Sequence, residues 1–176
     1  MSKKHLKRKE PKLSSLGMEM GEDLLCIGIV LKNLSMSESN RQCFASINDI
    51  CKNCCGVDFC IIPHDFDVSP LLLCPVIDPR ILKQWTYPIV STSVSTTKTA
   101  LSSKSDHIYF YILDVEHIPE DIVNNKRVTL IASNANIADS FKIETVENFD
   151  MKKFVGLINK DLKNAEEERS IGTVTV

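Results

Sequence analysis

Apolar and polar positions along this chain follow two alternating rhythms. Leu24–Leu31 (LLCIGIVL), Val57–Pro63 (VDFCIIP), Pro88–Thr92, Ile108–Leu113 (IYFYIL) and Arg127–Ser133 (RVTLIAS) are short, mostly apolar runs. A strand with one face in water alternates apolar and polar residues, so these runs predict strands covered on both faces. Between them the spacing becomes that of a helix. Cys43, Phe44, Ile47, Ile50, Cys51 and Cys54 share one helical face, which predicts a helix from about Asn40 to Asn53. Ser39 with Gln42 fits a capping box at its start, and Gly56 fits a C-cap.

The remaining elements follow the same logic. Pro70, Pro75 and Pro79 break the next stretch into irregular chain with a short helix near Pro79–Trp85. Ser95, Thr96 or Thr97 can cap a helix reaching about Ser103. A proline-initiated turn of helix is expected at Pro119–Asn124, and Asn134 can cap a helix to about Phe141. Lys142–Val146 predicts a last short strand. Asp150–Glu168 predicts a closing helix with Phe154, Leu157, Ile158 and Leu162 on one face. Strands alternating with helices point to a mainly parallel sheet with helices on both sides, a Rossmann-like three-layer α/β domain over residues 23–164. Residues 1–22 carry Lys3, Lys4, Lys7, Arg8, Lys9 and Lys12 without periodic apolar positions and read as a disordered basic arm. Residues 165–176 read as a flexible tail.

Composition narrows the classes. At 176 residues the chain suits one domain, and 43% hydrophobic with 25% charged residues is ordinary for a globular protein. No apolar run approaches the roughly 18–20 residues of a membrane span, and a net charge of −2 gives no general reason to expect nucleic acid. The seven cysteines (26, 43, 51, 54, 55, 60, 74) are odd in number and crowded into the first half, which reads as reduced thiols rather than a disulfide framework. Cys51, Cys54 and Cys55 share one helical face but lack the second ligand pair of a structural zinc site, so no metal is expected.

Candidate chemistry lies where the strands end, because open α/β sheets bind ligands outside the carboxyl ends of their strands. Asp114 and Glu116, one residue apart after the Ile108–Leu113 run, face the same way in extended chain. They either hold a divalent cation or form a solvated acidic loop. His64 with Asp65 follows the second strand and is either a base with its orienter or an ordinary polar strand end. Asn40 and Arg41 in the first helical turn either meet a phosphate or sugar phosphate or are only a solvated helix start. Ser93, Ser95, Thr96 and Thr97 offer hydroxyls suited to capping. No G-x-G-x-x-G follows the first strand, so the usual dinucleotide cradle is missing and no cofactor is expected.

Taken in order, NLSMSESNRQCFASIN, IVSTSVSTTKTAL, IYFYILDVE, LIASNANIADSF and ENFDMKKF resemble a glycosyltransferase-like family of contractile-tailed bacteriophages, notably those infecting cyanobacteria. The resemblance spans roughly Leu24 to Leu162 and rests on the order of the pieces. It implies two Rossmann-like domains around a cleft, the first holding the acceptor and the second a nucleotide-sugar. This chain has room for the first only, and it carries Leu113 and His117 where that family carries aromatics. Two functions are therefore expected from different classes. One is a glycosyltransferase-like domain that binds a sugar or nucleotide-sugar. The other is a non-enzymatic phage structural or interaction protein that meets protein partners through its N- and C-terminal tails. The resemblance places the chain in the host cytoplasm or in a virion.

Overall fold

The computed structural model describes residues 25–53, 57–65, 71–114 and 117–172. Five parallel strands form one sheet: β1 (Leu25–Asn33), β2 (Val57–Asp65), β3 (Ile89–Ser91), β4 (Ile108–Ile112) and β5 (Val128–Ala132), in the spatial order β2-β1-β3-β4-β5. This is a doubly wound order. The helices are α1 (Glu38–Asn53), α2 (Val94–Ala100), α3 (Glu120–Val123), α4 (Ala135–Phe141) and α5 (Met151–Gly172), with a 3₁₀ helix at Pro79–Gln84. The Rossmann-like three-layer architecture read from the sequence is thus the one observed.

The sheet is covered on both sides because both faces of its strands are apolar. On one face α1 and α5 pack through Phe44, Ile47, Ile50, Phe154 and Ile158 onto Ile29, Phe59, Val90, Tyr109, Tyr111 and Ile131. On the other, Leu82, Trp85 and Ala100 meet Val30, Ile62, Ile89 and Ile108, while Ile118, Ile122 and Ile137 meet Phe110, Ile112 and Ala132. Gly28 of β1 lets Trp85 lie against the backbone: a Cβ there would come within 3.1 Å of the indole. Every residue of β4 is buried, with Ile108, Phe110 and Ile112 on one side and Tyr109 and Tyr111 on the other.

Both sheet edges are blunted. Outside β2, Ile61 donates to Pro75 O and accepts from Ile77 N; outside β5, Ala132 donates to Glu144 O and accepts from Val146 N. Each is a single parallel bridge, which protects an edge without extending the sheet. The last strand expected over Lys142–Val146 is reduced to that one bridge, Ala132 with Thr145. The chain leaves α4 through Lys142 in a left-handed conformation, φ 55°, and then turns into α5.

Other differences are local. α1 begins at Glu38, with Ser37 rather than Ser39 accepting the amide of Asn40 (3.4 Å). Ser93, not Ser95, Thr96 or Thr97, caps α2. α5 continues through Gly172, across most of the stretch expected to be a tail. The basic arm, Cys54, Cys55 and Gly56 lie outside the described residues. Cys26, Cys43, Cys51, Cys60 and Cys74 are free thiols. Burial pushes the Cys43 thiol far above its usual range and that of Cys74 up to about 12, so both pack as small hydrophobes.

Because Phe110 is fully buried between β3, β5 and the α3–α4 layer, Phe110→Ala should destabilise the fold by about 3–5 kcal/mol in urea melts. A loss below about 1 kcal/mol would mean that β4 is not covered on that face.

Candidate functional site

The strand order turns back between β1 and β3. α1 leaves the end of β1 on one face and α2 leaves the end of β3 on the other, so the two connections diverge and open a crevice at this switch point. Register deepens it. β3 stops at Ser91, which pairs with Val30 and Phe110, whereas β1 runs on to Asn33 and β4 to Ile112. The rim of the sheet is therefore notched above Ser91, with overhanging strands on both sides.

One wall is the start of α1. Asn33 Oδ1 accepts the Ser35 amide (3.1 Å), and the Asn40 side-chain amide donates to Asn33 O (3.2 Å) and Ser35 O (2.9 Å). Asn40 thus locks the β1–α1 loop, and among the described residues its Oδ1 carries no hydrogen bond. Arg41 is exposed and meets Glu38 at 3.4 Å. The other wall is the start of α2. Thr96 Oγ1 accepts the amides of Thr92 (3.0 Å) and Ser93 (2.9 Å) while Ser93 Oγ accepts the Thr96 amide (3.2 Å), a reciprocal cap. Thr97 Oγ1 donates to Ser93 O (2.8 Å) and lies 2.8 Å from Ser91 Oγ, with Ser91 and Thr97 both buried. Thr96 and Thr97 are therefore consumed in building the turn. Ser93 and Ser95, 3.0 Å apart, face outward.

Lys32 completes the crevice. It lies on the β1 overhang, exposed, on the same side of the strand as Gly28 and Val30 and hence on the α2 side of the sheet. Lys32 is not among the candidates offered by the sequence, where it simply follows the apolar Leu24–Leu31 run. The signal was its parity with Cys26, Gly28 and Val30, which only a fixed strand end makes visible.

The other candidates stand apart. Asp114 follows β4 and is exposed, Glu116 lies outside the described residues, and His117 is exposed. The end of β4 is tied to β5 by Ser133, whose amide donates to Ile112 O (3.0 Å) and whose hydroxyl donates to Leu113 O (3.3 Å). His64 is half-buried near the end of β2, with Nε2 enclosed and, among the described residues, without a partner. Asp65, the next strand residue, faces the opposite side of the sheet, so the base-and-orienter pair is not formed. β2 and β4 are separated by β1 and β3, which puts His64 and Asp114 about 14 Å apart at the usual strand spacing. They cannot act on one reacting atom.

Among the described residues, no group of three or more His, Cys, Asp or Glu side chains is placed to hold a metal ion, and no helix is long and apolar enough to cross a membrane. Comparisons with protein-family models, with curated proteins and with solved structures return no match.

The lock at Asn40 carries a stability consequence. Asn40→Ala removes both hydrogen bonds from the β1–α1 loop and should cost about 1–2 kcal/mol in urea melts, whereas Arg41→Ala, at an exposed ion pair, should change stability by less than about 0.5 kcal/mol. Equal effects of the two would show that the amide does not hold the loop.

Proposed function

We propose that the chain is a glycosyltransferase-like binding domain that takes a sugar or nucleotide-sugar in the crevice between β1 and β3 and does not turn it over alone. The observation that carries this reading is the notch above Ser91, which puts neutral hydrogen-bonding groups and cations around one opening. Ser93, Ser95 and the free Oδ1 of Asn40 match sugar hydroxyls. Lys32 and Arg41, with the first amides of α1, match a phosphate. The separation of His64 from Asp114 argues for binding rather than catalysis. The resemblance of the Asn33–Asn48 and Ile89–Leu101 segments to phage glycosyltransferase-like proteins supports the same ligand class. By that resemblance, a second domain, in this or another chain, would complete a transferase.

A second reading, a structural or interaction module, has its own observation. The Asn48 side chain accepts the Leu73 amide (2.8 Å) and donates to Leu71 O (2.8 Å), pinning a segment whose Leu71 is 87% exposed. With Leu73, 48% exposed, on the same pinned segment, a fixed backbone that presents two leucines to solvent suits a protein partner.

A thermal-shift titration of the full chain with UDP- and GDP-sugars separates the two. The first reading predicts a saturable rise in melting temperature with at least one nucleotide-sugar, since a ligand at about a hundred times its Kd adds about 2.7 kcal/mol. Lys32→Gln and Arg41→Gln, both at exposed positions, should weaken that binding about tenfold each without lowering the melting temperature of the free protein. No stabilisation by any nucleotide-sugar at millimolar concentration would overturn the first reading in favour of the second.

A further inference from the structure

Away from the strand ends, a cavity of about 350 Å³ lies beneath α5, between the free edge of β5 and the segment that follows α4. The bridge at Ala132 explains why it exists. Ala132 directs both its N–H and its C=O outward to Glu144 and Val146, and the segment is pinned only there. Two residues earlier, Leu130 faces the same way, because backbone groups alternate sides along a strand. Residues Lys142–Glu144 have already swung away from it, so among the described residues the Leu130 N–H and C=O have no partner and open into the cavity.

The rest of the lining has two parts. Ile131 and Leu157 supply apolar surface, while the side chains of Leu130 and Ile143 pack on the α3–α4 side of the sheet. Lys142, Glu144, Lys160 and Asp161 supply charges of both signs, and none of the four belongs to the ion pairs Glu38–Arg41, Asp78–Arg80 and Asp49–Lys152 seen among the described residues. One of them is held in place: the hydroxyl of Tyr109, itself 1% exposed, donates to Asp161 Oδ2 at 2.9 Å. A buried phenol therefore orients a carboxylate toward an open cavity.

We infer that this cavity is a second ligand site, for a small zwitterion with an aliphatic body, of the size of a free amino acid or a dipeptide. A simple anion would satisfy the lysines but face Glu144 and Asp161, and a simple cation would meet the converse problem. A dipolar molecule places its carboxylate toward a lysine and the Leu130 N–H, and its ammonium toward Asp161 or Glu144 and the Leu130 C=O. Its aliphatic part covers Ile131 and Leu157. The volume is at the small end of the roughly 300–1,000 Å³ range of ligand pockets, which favours a compact ligand. This site is independent of the crevice between β1 and β3, since it lies under the α1–α5 face beside the opposite edge of the sheet.

NMR of the isotopically labelled full chain tests the assignment, with L-leucine and leucyl-alanine as probes and N-acetyl-leucine and leucinamide as charge-blocked controls. The expected result is a saturable shift of the Ile131 and Leu157 methyl signals and of the Leu130 amide signal with at least one zwitterion. A preference for leucine identifies a free amino acid, and a preference for the dipeptide identifies a peptide. Each control should bind about tenfold more weakly, as should Lys160→Gln and Asp161→Asn. Asp161→Asn keeps an acceptor for Tyr109, and Lys142→Gln, at an exposed position, provides a further variant that leaves the fold intact. The assignment is overturned if neither zwitterion gives a saturable shift at millimolar concentration, or if the blocked analogues bind as well as the zwitterions.

Discussion

The hydroxyl of Tyr111 ties the sheet to the helix that covers it. It donates to Val146 O (2.8 Å) and accepts from the Phe149 amide (3.1 Å), with all three residues buried. The turn it holds contains Asn148 and Phe149 at φ 55° and 50°, a conformation that side-chain-bearing residues rarely adopt. Phe149 and Phe154 pack on the same ring, with centroids 4.5 and 5.4 Å away. This turn directs the chain into α5, and α5 with α1 closes one face of the sheet. A buried polar group with both partners satisfied adds specificity to an otherwise apolar layer. α1 and α5 are joined further by the Met151 amide on Ser46 Oγ (2.9 Å) and by Lys152 with Asp49 (2.8 Å). That ion pair lowers the pKa of Asp49, so its contribution is present above the ordinary carboxylate range and fades as pH falls through the lowered value.

A sheet buried on both faces leaves its chemistry to the edges and ends of its strands. At the ends, several of the polar groups that looked available are spent inside the loops: Thr96 and Thr97 build the turn after β3, and the Asn40 amide builds the one after β1. What remains outward is a small set, Ser93, Ser95, Lys32 and Arg41, gathered by the early end of β3. At the β5 edge the same economy runs in reverse. A single bridge at Ala132 closes the top of the edge and leaves Leu130 facing the space below.

The layers were legible because burial on both faces writes itself directly into composition: the IYFYI run of β4 has no polar residue to place in water, and every position is buried. The order of strands in space was not legible, since nothing in the β1 or β3 segments states that they are neighbours. The caps of α1 and α2 differ from the expected ones by a few residues because serines and threonines crowd those two helix starts, whereas Asn134 caps α4 as expected. Ser35, Ser37 and Ser39 are equally good caps until the length of β1 selects Ser37. His64 and Asp65 looked like a pair in one dimension, and strand parity separated them. The pocket beneath α5 left no local signature at all. It joins Tyr109 to Asp161, which lie 52 residues apart, and depends on a bridge that replaces a predicted strand.

Native-state hydrogen exchange tests the doubly covered sheet most directly, because amides in its paired interior open only with the whole molecule. The Tyr109 and Phe110 amides of β4, paired on either side with β3 and β5, should exchange with the free energy of global unfolding. The Leu130 amide, which faces the unpaired part of the β5 edge, should exchange far faster although its strand neighbours are protected. Exchange of Tyr109 and Phe110 as fast as that of Leu130 would contradict the account, since β4 would then be an exposed strand rather than one paired on both sides and buried between two helical layers.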